Sequence, residues 1–250
     1  MALMDEFKEE RATLKQQPFK KKWEWFWGYY KLHVLAVVIC VLIISNLIYN
    51  FITQQEQVFY VGLINCAYST DTEAYDTAID EYLGVNTSEE YTVYDTSMSL
   101  DENFSDYDSV QKFALRLASN ELDAYISEES MFYNYAVQEI FVDLETILTP
   151  ELYEYYKDDF FYFDQALLTD GTYDLENVHY TVADIMETFD STDPDSMQDP
   201  IAIGIYIKGT EEFYDNYYIY SDETVPLVFG IISSCYHQET AIAYLEYITQ

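Results

Sequence analysis

Residues 32–52 read LHVLAVVICVLIISNLIYNFI, a run with no Asp, Glu, Lys or Arg. As a helix rising about 1.5 Å per residue it spans roughly 31 Å, close to the ~30 Å hydrocarbon core of a bilayer. Apolar residues fall on every side, so no face suits water. Such a helix is either deep in a core or across a membrane. The flanks point to the membrane. Trp23, Trp25, Trp27, Tyr29 and Tyr30 form an interfacial aromatic belt, Lys20, Lys21 and Lys22 precede it, and Lys31 can snorkel to the headgroups. Residues 1–31 hold seven Lys and Arg, whereas four follow the span. The tendency of basic residues to stay in the cytoplasm then sets the orientation. The expected organisation is a short cytoplasmic segment at 1–28, a transmembrane signal-anchor helix at 29–53 and an extracytoplasmic domain at 54–250. A cleaved signal peptide fits less well, because the apolar run is long and no A-x-A-like site follows Ile52. His33, Asn46 and Asn50 could pair with a partner helix, although His33 and Asn50 fall near the two interfaces.

Beyond the span the periodicity changes. Residues 58–64 read as a buried strand, and 71–83 as an amphipathic helix with Ala74, Ala78, Ile79 and Tyr82 at helical spacing. A strand at 91–95, a helix at 107–119, a strand at 122–126 and a helix at 129–138 follow. That β-α alternation argues for a sheet with helical crossovers. Thr149-Pro150-Glu151 is a strong helix start, with N-cap, first-turn proline and an acid near the positive end. A strand at 160–163, a helix at 181–189 and an Asp-rich loop at 191–200 come next. Strands at 201–207 and 226–233, a short helix at 211–217 and a closing helix at 238–248 complete the pattern.

Charge changes what this domain can meet. The formal net charge is −35. Residues 1–31 contribute +2, from seven basic and five acidic groups, and the rest contributes −37, from four basic and 41 acidic groups. A surface this acidic repels nucleic acid, phosphorylated ligands and anionic lipid. Disorder, the other reading of high charge, conflicts with 27 Tyr, 15 Phe and few Gly or Pro. Cys66 and Cys235 both lie outside the span, where a disulfide between them could form; two buried thiols are the alternative.

Residues 110–148 resemble the type 2 extracellular solute-binding proteins. Glu121-Leu122-Asp123-Ala124 matches the short strand of that family, and Phe141-Val142-Asp143-Leu144 matches the motif closing the next helix. The order of elements from 200 to 247 is also similar to the family's return to its first lobe. The resemblance implies an α/β fold: one lobe of a type 2 solute-binding protein after the transmembrane helix. Only about 55 residues separate Leu144 from Pro200, so the second lobe is expected to be reduced or vestigial. The resemblance also implies a ligand at the carboxyl ends of the strands, as in open α/β sheets generally. The candidates there are Asn65 and Tyr68, Asp95 and Thr96, and Ser127 and Glu128. A small neutral or cationic solute is the expected ligand, and an envelope protein docked by the domain is the alternative.

No fingerprint of catalysis, phosphate binding or dinucleotide binding is present. His179 and His237 are the two histidines beyond the span, too few for the usual zinc site, and no cofactor is expected. Cys235 and His237 are close in sequence, which alone is weak support for a thiol nucleophile. Asp190, Asp193, Asp195 and Asp199 could gather around calcium, but their loop lacks the glycine and final Glu of a calcium hand. Tyr153, Tyr155 and Tyr156, and Tyr214, Tyr217, Tyr218 and Tyr220, could stack on sugars or fill half-buried positions. The chain reads as a non-enzymatic binding or sensing domain on a membrane.

Overall fold

A computed structural model describes residues 18–69, 72–100, 106–169, 190–219 and 226–249. The expected helix at 181–189, His179 and Tyr220 lie outside them. The chain divides into two units, Met1–Gln54 and Gln55–Gln250.

The first unit contains one long helix, α1 (Phe19–Thr53). Its segment Tyr30–Thr53 is long and apolar enough to cross a membrane, and none of that segment is buried. Large side chains such as Leu35, Ile43 and Ile48 are more than half exposed. In water that surface would strongly oppose solubility, while in lipid it costs nothing. A signal sequence would share these properties.

The second unit is mixed α/β. In chain order it contains β1 (Glu56–Leu63), β2 (Cys66–Tyr68), α2 (Glu73–Leu83), β3 (Glu90–Asp95), α3 (Tyr107–Ala118), β4 (Ala124–Glu128) and α4 (Glu129–Ala136). Then come α5 (Pro150–Tyr156), β5 (Phe160–Asp164), α6 (Ala166–Thr169), β6 (Pro200–Ile207), α7 (Glu211–Asn216), β7 (Tyr217–Ile219), β8 (Leu227–Ile231) and α8 (Gln238–Thr249). Six strands form one sheet in the order β3-β1-β4-β8-β6-β5. β3, β1 and β4 run parallel, and each later neighbour is antiparallel to the one before. β2 and β7 form a small antiparallel ribbon. The strand expected at 122–126 starts two residues later because Asp123 uses its backbone and side chain to bond Tyr60 before the ladder begins.

The sheet is buried on both faces, which explains why its strands read as nearly continuous apolar runs. On β1, Phe59, Val61 and Leu63 enter one core and Tyr60 the other, which Ile64 joins just after the strand. Phe160 and Tyr162 against Phe161 and Phe163 on β5 alternate in the same way. The period of two sends neighbours to opposite faces. Helices α2 and α8 cover the first face through Ile79, Tyr244 and Leu245. Helices α3 and α4 cover the second through Phe113, Phe132 and Tyr133. The helix start at Thr149 is formed: its hydroxyl accepts from the Leu152 N–H, with Pro150 in the first turn. The ribbon strands β2 and β7 and the short α6 have no counterpart in the periodicity.

Candidate functional site

The parallel arrangement puts the carboxyl ends of β1, β3, β4 and β6 on one edge of the sheet. Asn65, Asp95 and Thr96, and Ser127 and Glu128, therefore sit side by side in the order β3-β1-β4. What these residues do there differs from a ligand-ready edge.

Asn65 follows β1 with φ of 57°, the left-handed region that Asn tolerates better than most residues. Its carboxamide is fully engaged with the segment after β3. Nδ2 donates to the Leu100 carbonyl at 2.8 Å, and Oδ1 accepts from the Leu100 N–H at 2.8 Å and the Ser99 hydroxyl at 3.3 Å. Asp95, which ends β3, is saturated in the same way. Oδ1 accepts from the Ser97 N–H at 2.8 Å and Ser97 Oγ at 2.6 Å; Oδ2 accepts from the Tyr60 hydroxyl at 2.5 Å and lies 2.7 Å from Lys112 Nζ. Burial alone would raise the Asp95 carboxyl, but Lys112, Ser97 and Tyr60 outweigh it and hold it well below the usual carboxylate range. Burial and then the Asp95 charge push the Tyr60 hydroxyl up. Thr96 is half-buried in the same turn.

Ser127 is fully buried and donates to the Glu128 carbonyl at 3.0 Å. The next residue, Glu129, opens α4 and makes the third cluster on this edge. Glu129 Oε1 accepts from Ser191 Oγ and from the Tyr206 hydroxyl, each at 2.7 Å, and those two oxygens are 2.6 Å apart. This group pins the segment after residue 190 to α4 and β6. Tyr68 lies on the ribbon strand β2, paired with Tyr217 on β7, off the main sheet.

At the opposite edge is a cluster that sequence reasoning touched only in part. Asp123, 1 % exposed, accepts from the Tyr60 N–H at 2.9 Å; its Oδ1 is 3.2 Å from Cys235 Sγ and 3.1 Å from His237 Nδ1. The Cys235–His237 spacing is visible in the sequence, whereas Asp123 appears there only as part of the Glu121–Ala124 strand motif. The carboxylate sits between thiol and imidazole, whereas activation of a thiol needs the imidazole next to sulfur. Burial and then the negative Asp123 push the Cys235 thiol up, so it stays protonated at neutral pH and serves as a donor. Cys66 is likewise raised, to about 12, by burial and then by Glu128. Both are buried free thiols rather than partners in a Cys66–Cys235 bridge, and the Cys235 sulfur bonds Asp123.

The aspartates near 190 are turn and cap groups. Asp190 accepts from Thr192 through its N–H and hydroxyl, and Asp193 caps the Asp195 N–H. No cluster of three or more His, Cys, Asp or Glu side chains suited to a metal ion is present among the described residues. Of the tyrosine clusters, Tyr156 and Tyr217 are core residues, and Tyr155 and Tyr214 are exposed. Set beside protein-family models, curated proteins and solved structures, the chain matches none of them.

Proposed function

We propose that this chain is a membrane-anchored, extracytoplasmic, non-catalytic binding domain, and that it docks a protein partner of the cell envelope. The observation that carries this is the state of the strand-end groups. A solute held at that edge would need open donors and acceptors, yet both ends of the Asn65 carboxamide and both oxygens of Asp95 are bonded within the domain. Freeing either would leave buried partners unsatisfied, at a cost of about 1–3 kcal/mol each. Only Gln54 and Gln55 separate α1 from β1, a reach of about 10 Å at full extension. A lipid-embedded α1 would therefore tether the domain to the membrane through a short connection. Solubilising cell membranes in mild detergent and isolating the full chain tests the proposal. One partner at fixed stoichiometry supports docking.

The second reading is the solute-binding lobe of the resemblance. It is favoured by the parallel β3-β1-β4 edge, whose carboxyl ends lie together as that family's ligand rule requires. A thermal-shift screen of the full chain against sugars, amino acids, peptides and divalent cations separates the two. Stabilisation by one small solute that rises with its concentration would displace the docking reading.

A further inference from the structure

The apolar helix holds one carboxamide, Asn46, well inside its length, and the residues in line with it form a seam. Leu32, Leu35, Ile39, Leu42, Asn46, Tyr49 and Thr53 recur at alternating steps of three and four along α1. This is a heptad seam with Leu32, Ile39, Asn46 and Thr53 at one core position and Leu35, Leu42 and Tyr49 at the other. Every one of these side chains is exposed, with Ile39 at 47 % and Leu42 at 64 %. A β-branched residue paired with Leu across such a seam favours two strands, and one Asn on it fixes register and number of chains.

Asn46 supplies the reason to pair. It lies about 7 Å from the middle of Tyr30–Thr53, inside the hydrocarbon thickness. Its Oδ1 accepts from Asn50 Nδ2 at 3.1 Å. Its own two N–H donors need an acceptor, and lipid offers none. A carboxamide both donates and accepts, so an Asn at the same depth on a neighbouring helix is its complement. A second copy, inserted in the same direction, has its Asn46 at that depth by construction of the chain, and a twofold axis brings the two face to face.

We propose that α1 pairs with α1 of a second copy in the membrane, as a parallel left-handed dimer along this seam with Asn46 bonded to Asn46 at its centre. The proposal rests on the membrane-anchored reading above. The outer segments, −37 each, oppose the pairing, but at physiological ionic strength their repulsion is screened beyond about 8 Å.

The full chain, labelled separately with donor and acceptor dyes, is reconstituted into phosphatidylcholine vesicles. Energy transfer is read against the protein-to-lipid ratio after an alkaline carbonate wash and flotation. The expected result is transfer that saturates as a dimer. Asn46→Leu weakens it about three- to twentyfold, Asn46→Gln largely keeps it, and Val37→Leu, off the seam, leaves it unchanged. Transfer that strengthens between about 20 and 200 mM salt supports the opposing charge. A chain that floats but stays monomeric, or whose transfer ignores Asn46, overturns the seam alone. A chain stripped from the vesicles overturns the anchor and the seam together.

Discussion

Gly230→Ala is expected to destabilise the α/β domain by about 2 kcal/mol. Gly230 on β8 and Gly204 on β6 are next in register after Phe229 and Ile205, and together they form the flat floor under Phe132 of α4. A Cβ at 230 would stand 2.7 Å from two ring carbons of Phe132 and 2.8 Å from Phe141 Cδ1. Carbon atoms pack at about 3.5–4.0 Å, so the overlap approaches 1 Å. The ring cannot move aside. It is fully buried, stacked on Phe141 at 4.2 Å and edge-on to Phe161 at 5.0 Å. Overpacking of this kind costs about 1–3 kcal/mol, and the enclosed ring places this site near the top. Alanine restricts the unfolded chain and returns about 0.4–1 kcal/mol, which leaves about 2 kcal/mol net. For a domain of this size that lowers Tm by roughly 4–8 °C. Urea unfolding of the full chain in mild detergent, followed by near-ultraviolet circular dichroism of the tyrosines, measures it. The cause is checked by a double-mutant cycle with Phe132→Leu, where the missing ring edge removes two of the three close contacts, leaves the one to Phe141 and makes the penalty clearly smaller. An equal penalty in both backgrounds, or none in either, would refute the close-approach argument.

Three further outcomes follow from the sheet edges. Asp95→Asn loses the ion pair with Lys112 and the charge that the Ser97 and Tyr60 donors favour, and the loss depends on pH in a defined sense. The folded carboxyl lies below its unfolded value of about 3.9, so its contribution is complete above that value and fades as pH falls below it. The gap between wild type and Asp95→Asn in urea midpoints should be constant from about pH 5 to 7 and close in more acidic buffer; a gap that widens there contradicts the assignment. Asn65→Ala removes the two bonds to Leu100 and a residue tolerant of positive φ, at about 2 kcal/mol, and Asn65→Gly should recover the backbone part; equal midpoints for Ala and Gly would show that φ is unimportant. Asp123→Ala orphans the buried Tyr60 N–H and should cost about 2–4 kcal/mol, while Cys235→Ala, which removes only a weak donor, costs about 1 kcal/mol; chemical denaturation of the two variants ranks them.

The elements were legible because the sheet is covered on both faces and most of its strands announce themselves as apolar runs. Phe160–Asp164 and Leu227–Ile231 contain residues that are buried throughout, and α8 shows its stripe of Ala241, Tyr244, Leu245 and Ile248. The ribbon of Cys66–Tyr68 with Tyr217–Ile219 was not legible. Three residues are too few to show a period, and the partner is some 150 positions away. The strand-end positions were readable only in location. The rule that ligands gather at strand ends picks Asn65, Asp95 and Ser127 correctly as edge residues, but a residue type does not reveal who its partners are. Whether Asp95 faces solvent or Lys112 and Tyr60 depends on a helix and a strand distant in sequence. Asp123 shows the same limit from the other side: Cys235 and His237 stand two apart, but the carboxylate joining them comes from more than 110 residues earlier.

The charge distribution constrains what can approach this domain more firmly than any single residue does. Four basic side chains follow α1, and each is matched internally: Lys112 with Asp95, Arg116 with Glu121, Lys157 with Glu154 and Lys208 with Asp159. The exposed pairs contribute little to stability, about 0–1 kcal/mol each. Their effect on recognition is larger, because no basic group is left over to attract an anion. A phosphorylated or acidic surface would meet a field set by −37 over residues 54–250, unrelieved except by salt within about 8 Å. Association with a basic surface is accelerated by the same field, and that acceleration shrinks as ionic strength rises. The docking proposed above therefore calls for a partner with a neutral or basic face. In the proposed α1 pairing the seam would have to work against this same charge, because contacts within lipid are ones that the charge of residues 54–250 cannot assist.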